Sequence, residues 1–408
     1  MAETEMLNNS DQDVPFFEGV EKLLEIWFVP TKNADLRKIP RQKWESLLKI
    51  VRCEIISFTH SEQVDAYVLS ESSMFVSSRR WILKTCGTTT PLLCLRGLQT
   101  LAAEIAGHAR VENVFYSRKN FMRPHLQQQP HREFYQEVEL LDTFFEDGSA
   151  YVLGPEDKDC WYLYTLLPVS VPISLKNSIM LLSGLIITPD QTMEMLMSDL
   201  DPDIMAIFTK LHSKDAAEAT LKSGIEKIIP GMKIDDFLFE PCGYSMNGVT
   251  RDGCYMTIHI TPEPEYSYVS FESNIPAESY EEVITRVIDT FRPGKFVLTV
   301  FANEKIDKRG AEPTSRELLF QTHCSTAIKT VELSETDVRL HYLGKENETM
   351  GKLLKNISSA SSMVGSVNVV ILQVIVSRMI LLSVCLLLSS LVSFSPLVLF
   401  SRWRNKIS

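Results

Sequence analysis

Four short runs crowd into residues 53 to 86: CEIISFT, DAYVLS, SMFVS and RWILKTC, each an apolar stretch edged by polar residues. Short apolar runs of this kind, rich in β-branched and aromatic residues, read as strands. A parallel partner needs a crossover of a dozen residues or more, and only a few residues separate these runs, so they must pair antiparallel. The first half of the chain is thereby committed to an antiparallel sheet. The second half echoes it, with strands at 235–245, 253–260 and 267–272, a helix SYEEVITRVIDTF and a strand KFVLTVF. Strand clusters followed by helices, twice, read as an α+β chain: a duplicated unit whose two sheets pack face to face with helices outside. No residue-level repeat accompanies the duplication, which rests on element order.

Between the sheets' strands, RQKWESLLKIV (41–51) places Trp44, Leu47, Leu48 and Val51 at helical spacing. FFEGVEKLLEIWF puts Phe17, Val20, Leu24 and Trp27 on one stripe and Glu18, Glu21 and Glu25 on another, which predicts an amphipathic helix with a solvated acidic face. Further helices are expected from about Leu92 to Ile105, from about Arg132 to Phe145 and over TMEMLMSDL, with strands over ENVFYS and DCWYLYT. Two stretches fit poorly. Residues 166–188 are apolar without clean periodicity, and the sequence from 328 onward has no strand logic linking it to what precedes.

A formal charge of -11 over 408 residues argues against a nucleic-acid partner and suits a cationic ligand. The eight cysteines (53, 86, 94, 160, 242, 254, 324, 385) show no CxxC pair and no His at ligand spacing, so reduced thiols in the cytosol and no metal site are expected. The first 13 residues are polar and read as a disordered N-terminus rather than a leader. Residues 379–400 carry no charge and are followed by SRWRNK, so a tail-anchored membrane form stands as the alternative to a cytoplasmic protein.

Chemistry enters at YVLSESSMFVSSRR (67–80), where a turn carries a carboxylate and two hydroxyls. A serine hydroxyl can attack the carbonyl that precedes it and convert the amide into an ester, provided that a constrained turn raises the ground state and donors meet the oxyanion. A base can then remove the α-proton of Ser72, expel the acylated oxygen and leave a dehydroalanine that hydrolyses to a pyruvoyl group. The chain would be cut between Glu71 and Ser72. Taken alone, a Ser-Ser turn is more often a solvated hairpin. A base is available on CYMTIHITPEPEYSYVSFE, where period two sets Tyr255, Thr257 and His259 on one face against Met256, Ile258 and Ile260. By default, however, a His on a strand face is a satisfied structural residue, and Cys86 in KTCGTT a small buried hydrophobe.

Seven separated motifs, in order, decide between these readings: FFEGVEKLLEIWF, YVLSESSMFVS, ILKTCGTT, FYSRKNFMRP, PDQTMEMLMSDLDP, PCGYSMNG and TIHITPEPEYSYVSFE. Together the chain closely resembles the eukaryotic S-adenosylmethionine decarboxylase proenzymes, the pyruvoyl-dependent family that commits adenosylmethionine to spermidine and spermine synthesis. The resemblance spans 14–327, with a first repeat at about 14–165, an atypical insertion at 166–188, a second repeat at about 189–327 and an atypical tail at 328–408. It implies a four-layer αββα sandwich of two antiparallel sheets with internal duplication.

The resemblance implies roles as well. Ser72 becomes the self-generated pyruvoyl group, the covalent cofactor that forms a Schiff base with substrate, and Glu71 ends the shorter fragment. His259 is the processing base, Ser245 assists processing, and Cys86 is the proton donor after carbon dioxide leaves. Glu18 and Glu21 flank the substrate, Phe17 and Phe239 stack on its adenine, and Glu263 holds its ribose. Putrescine is implied as an activator bound by Glu25, Asp190, Thr192, Glu194 and Glu272, with Lys84, Phe115, Ser117 and Phe301 nearby, and the processed units are expected to form a homodimer. The departures at 166–188 and after CSTA (324–327) put the putrescine site in question and suggest a missing sheet edge. They keep open an alternative: a catalytically impaired variant or regulatory paralogue that acts by dimerisation.

Overall fold

A computed structural model describes residues 16–153, 159–166, 191–277, 280–302, 326–334, 337–343 and 366–374, all within one compact unit. The expected antiparallel hairpins of the first half are present as β2 (Ile55–His60), β3 (Val64–Leu69), β4 (Ser72–Ser77) and β5 (Arg80–Thr85). With β1 (Lys22–Phe28), β6 (Val111–Lys119), β7 (Gly148–Leu153) and β8 (Trp161–Leu166) they form an eight-stranded sheet, sheet A, in the order β2-β3-β4-β5-β1-β6-β8-β7. The second half supplies β9 (Gln191–Leu200), β10 (Lys233–Leu238), β11 (Tyr244–Val249), β12 (Tyr255–Thr261), β13 (Tyr268–Ser273) and β14 (Pro293–Ala302). These join β15 (Thr326–Ser334), β16 (Asp337–Leu343) and β17 (Ser366–Val374) in a nine-stranded sheet, sheet B, in the order β10-β11-β12-β13-β9-β14-β17-β15-β16. Every pairing is antiparallel except β14 with β17.

The duplication is visible in the two strand orders. In each sheet a four-strand meander runs out from the edge, and the first strand of that half lies between the meander's last strand and the next strand of the chain: β1 between β5 and β6, β9 between β13 and β14. Helices cover the outer faces. On sheet A, α1 (Arg41–Val51) contributes Trp44, Leu47, Leu48 and Val51, α2 (Leu95–Leu101) contributes Leu95 and Leu98, and α3 (Phe134–Asp142) contributes Leu141; all pack on Leu24, Ile26, Met74, Trp81 and Leu83. On sheet B, Met193, Met195, Met197, Met246, Met256, Ile258, Val269 and Phe271 meet α4 (Pro202–Ala206), α5 (Ala216–Ser223) and α6 (Glu281–Phe291).

The inner faces are different. Two small apolar clusters bridge the sheets, one with Leu23, Phe75, Ile82, Val249 and Tyr255, the other with Val20, Trp161, Leu196, Tyr268 and Val297. Ser73, Lys84, Glu194, Asn247, Thr257, His259 and Glu272 are buried polar residues on the same faces. A protein this size can bury so many polar groups only by pairing them with one another.

Several expectations are corrected. FFEGVEKLLEIWF is not a helix; its second half is β1, because a strand covered on both faces carries apolar residues on both and mimics a helical stripe. Glu18, Glu21 and Glu25 are therefore not a solvated face: all three are buried. TMEMLMSDL is likewise a strand, β9, in which Met193, Met195 and Met197 share the outer face at period two. Strands β15, β16 and β17 stand where a missing edge was expected, their main-chain ladders continuing sheet B. The insertion 166–188 past Leu166, the polar N-terminus and the apolar run 379–400 lie outside the described residues. Among the described residues no helix is long and apolar enough to cross a membrane.

Candidate active site

Ser70 and Glu71 make the two-residue turn between β3 and β4, and Ser72 opens β4, paired with Leu69 on one side and Thr85 on the other. Ser72 is thus not a free turn residue but an interior sheet position, 2 % exposed, with φ at +112°. A side chain at that φ is strained, and such strain persists only where neighbours enforce it. The neighbours are visible. The Ser72 hydroxyl donates to Glu21 Oε1 at 2.6 Å, and the Cys86 main-chain N–H donates to the Glu71 carbonyl at 3.2 Å. The carbonyl that Ser72 must attack therefore already carries a donor, and the attacking hydroxyl already has an acceptor for its proton.

The histidine expected to act as base sits across the inter-sheet gap. His259 on β12 accepts or donates at Nδ1 to Ser245 Oγ (2.8 Å), while Nε2 lies 2.8 Å from Thr257 Oγ1, 3.1 Å from Ser73 Oγ and 3.9 Å from Glu21 Oε1. Ser73 in turn donates to Asn247 Oδ1 at 2.7 Å. Burial drives the imidazole's pKa down to about 4, with Glu21 pulling the other way, so the ring is neutral at physiological pH. A neutral imidazole has the lone pair that proton abstraction needs.

Behind Glu21 lies a group of charges. Lys84 Nζ on β5 sits 2.6 Å from Glu194 Oε1, 2.8 Å from Glu272 Oε2 and 3.3 Å from Glu21 Oε2, all nearly dry. Tyr255 donates to Glu272 Oε1 at 2.6 Å. Burial raises the Glu21 carboxyl, but Lys84 and His259 outweigh it and hold its pKa below the usual range. Burial pulls the Lys84 pKa down, but Glu194, Glu21 and Glu272 outweigh it and hold the amine charged. Glu194 is pushed up to about 7, first by burial and then by Glu272, against the pull of Lys84. Glu25, by contrast, is engaged by Arg80 at 2.9 Å and by the Trp27 indole.

The remaining expected residues surround this centre unequally. Cys86 Sγ is 3.8 Å from Glu71 Oε2, and burial followed by the Glu71 and Glu21 charges raises the thiol's pKa well above normal. Glu18 accepts from the Met122 and Arg123 N–H groups at 2.9 and 3.2 Å, and its carbonyl takes the Gly87 N–H. The Phe17 ring lies over Gly87, where an added Cβ would meet it at 3.1 Å and Glu71 Oε2 at 3.2 Å. Phe239 is partly exposed beside Phe237, and Glu263 is partly exposed with the Cys242 thiol hydrogen-bonded to it. Thr192 and Ser117 are buried and Phe115 partly so. Asp190 and the Phe301 side chain lie outside the described residues, although β14 pairs Phe301 with Thr192.

Sequence reasoning missed the Cys86 N–H, the direct Ser72–Glu21 contact and the Ser73–Asn247 support. Only Thr257 had a legible signal, since period two places it on the face of His259.

A sequence model of the family described as Adenosylmethionine decarboxylase matches residues 14–349, past the 327 boundary of the motif-based reading. The chain is 55% identical over 301 residues to the S-adenosylmethionine decarboxylase proenzyme of Drosophila melanogaster, covering 73% of this chain and 85% of that one. It is 51% identical over 294 residues to the proenzyme of Xenopus laevis (71% and 84% covered) and 44% identical over 338 residues to that of Caenorhabditis elegans (81% and 89% covered).

Proposed function

The chain belongs to the adenosylmethionine decarboxylase family, and from that premise we propose how its own residues carry out the two reactions of such a proenzyme. It cuts itself to create a pyruvoyl group and then decarboxylates S-adenosylmethionine for polyamine synthesis. The pyruvoyl group supplies the electron sink for that decarboxylation. The residues fit its formation: a strained serine, an acceptor on its hydroxyl and a donor on the carbonyl before it.

In self-cleavage, Glu21 takes the Ser72 hydroxyl proton while Oγ attacks the Glu71 carbonyl carbon. The Cys86 N–H meets the negative charge that grows on the Glu71 oxygen. The Ser72 nitrogen leaves as an amine, giving an ester and relieving the strained peptide. His259, held by Ser245 and Thr257, then removes the Ser72 α-proton. Glu71 departs as a carboxylate, and water replaces ammonia on the remaining dehydroalanine to give the ketone. During decarboxylation Cys86 returns a proton to the substrate carbon, Phe17 and Phe239 bracket the adenine, Glu263 binds the ribose hydroxyls, and Glu18 and Glu21 face the sulfonium.

The hydroxyl of a strained serine lying 2.6 Å from a buried carboxylate is the observation that carries this reading. Denaturing mass measurement tests it: the parent should resolve into fragments 1–71 and 72–408, the larger blocked to Edman degradation, and Ser72→Ala should remain whole. An uncut parent would favour the regulatory alternative instead.

Putrescine belongs to this proposal as an activator. Three carboxylates share one ammonium at Lys84, and Glu194 Oε2, Ser117 Oγ and Thr299 Oγ1 are buried without hydrogen-bond partners among the described residues. A dication with N–H donors at both ends answers both deficits. A homodimer and a cytoplasmic location are proposed on the resemblance alone, and sedimentation and cell fractionation test them.

A further inference from the structure

Lys22 stands apart on β1. Its strand neighbours on the helix-covered face, Leu24 and Ile26, are core residues, yet Lys22 itself is fully buried there, where burial lowers its pKa to about 8 and leaves it an ammonium at neutral pH. It donates to the Gly87 carbonyl at 2.9 Å and to Gln127 Oε1 at 3.3 Å, and lies 5.2 Å from the Phe121 ring centroid. Among the described residues it forms no ion pair, because the two nearby carboxylates are engaged elsewhere. Glu137 is taken by both Arg118 contacts (3.0 and 2.9 Å), by His131 and by Tyr116, and Glu18 accepts from the Met122 and Arg123 N–H groups. A buried, uncompensated cation is costly, and an uncharged side chain would fill the same space more easily.

Its place explains its presence. The Cys86–Gly87 segment is fastened at every main-chain group: Cys86 N–H to Glu71 O (3.2 Å), Thr89 Oγ1 to Cys86 O (2.7 Å), Gly87 N–H to Glu18 O (2.9 Å) and Lys22 Nζ to Gly87 O. Gly87 holds φ at +60°, a conformation that suits glycine and that the lysine's grip on its carbonyl helps to fix. The charged and titratable groups that face the Cys86 thiol are Glu71, Glu21, Cys53, Tyr268 and Lys22, and of these only Lys22 favours a thiolate. Those that face Lys22 are Cys86, Glu137, Arg118, Glu18, Glu71, Cys53 and His131.

We propose that Lys22 is a positioning residue for Cys86: its tie to Gly87 aims Sγ, and its unpaired charge stabilises the thiolate left when Sγ–H gives its proton to the substrate carbon. The thiolate then recovers a proton from water. The inference rests on the reading of Cys86 as proton donor.

The test measures the thiol itself. In full-length Ser72→Ala protein, which forms no pyruvoyl group, alkylation of Cys86 by iodoacetamide is followed across pH at the peptide that carries it. Below pH 8, where Lys22 carries its proton, Lys22→Met should slow alkylation by about tenfold for each unit by which it raises the thiol's pKa, since only the thiolate reacts. Lys22→Arg should stay within about threefold of the parent. Gln127→Glu keeps the Gly87 tie but gives Lys22 a carboxylate, and should shift the profile in the same direction as Lys22→Met. If Lys22→Met does not fold, Gln127→Glu decides alone. Profiles of the folded variants that superimpose on the parent's overturn the proposal. In the processed enzyme, Lys22→Met should lower kcat with KM unchanged. Decarboxylation at the parental rate by Cys86→Ala would instead remove the acid role, whatever the alkylation profiles show.

Discussion

His259 titrates far from where a free histidine does, and the sign of its shift fixes what pH should do to self-cleavage. Burial lowers its pKa to about 4, so the unfolded chain binds the proton more tightly than the folded one. The neutral ring's contribution is complete above the ordinary value near 6.5 and is lost as pH falls through about 4. The acid limb of the cleavage rate should therefore fall near pH 4, and time courses of fragment appearance between pH 3 and 8 would show it; a limb near 6.5 would mean that the ring is not buried as described. Thr257→Val removes a 2.8 Å partner of Nε2. Losing one net hydrogen bond of about 1.4 kcal/mol should slow cleavage about tenfold, with Thr257→Ser restoring it. At this scale the chemistry-bearing side chains were legible in short motifs. The Cys86 N–H was not, because a backbone group acquires a role only when the fold brings it to the carbonyl it serves.

Strand β4 begins on its strained residue, and that strain can be measured apart from cleavage. Ser72→Ala and Ser72→Gly both lack the nucleophile, but glycine adopts a φ of +112° without steric penalty. Ser72→Gly should therefore resist denaturant better than Ser72→Ala, by about 1–3 kcal/mol, despite the entropy glycine loses on folding. Equal midpoints in urea would place no strain at this position. The same scale shows why the meanders were readable and β1 and β9 were not. β2 to β5 are short apolar runs separated by only two or three residues, which leaves no room for helices, and β12 alternates cleanly, while β1 is buried on both faces through Leu23, Leu24 and Ile26 and its apolar residues also fall at helical spacing. In β9 the alternation was present in Met193, Met195 and Met197, but Met, Glu and Leu are also strong helix formers, and propensity masked the period.

Between the two sheets the molecule keeps an unbalanced interior: Glu21, Glu194 and Glu272 around the single ammonium of Lys84. Glu194 carries the imbalance, with its pKa raised to about 7. A raised carboxyl favours the folded state only while protonated, so its contribution is full below the unfolded value of 4.5 and vanishes as pH rises through about 7. A diamine reverses this: its two ammonium groups favour an ionised Glu194, while the diamine itself keeps both protons until about pH 10. Binding should then expel a proton from Glu194 below pH 7 and little above it. If the ionised form is the one that binds, the fraction available rises about tenfold from pH 6 to pH 8, and putrescine affinity should rise with it. Calorimetry in two buffers of different ionisation enthalpy would register the released proton at pH 6, and the thermal shift at saturating diamine should be larger at pH 8. Glu194→Gln should flatten both dependences. A parent protein whose putrescine affinity is the same at pH 6 and pH 8 would separate the diamine from this cluster and leave the imbalance to be answered by Lys84 alone.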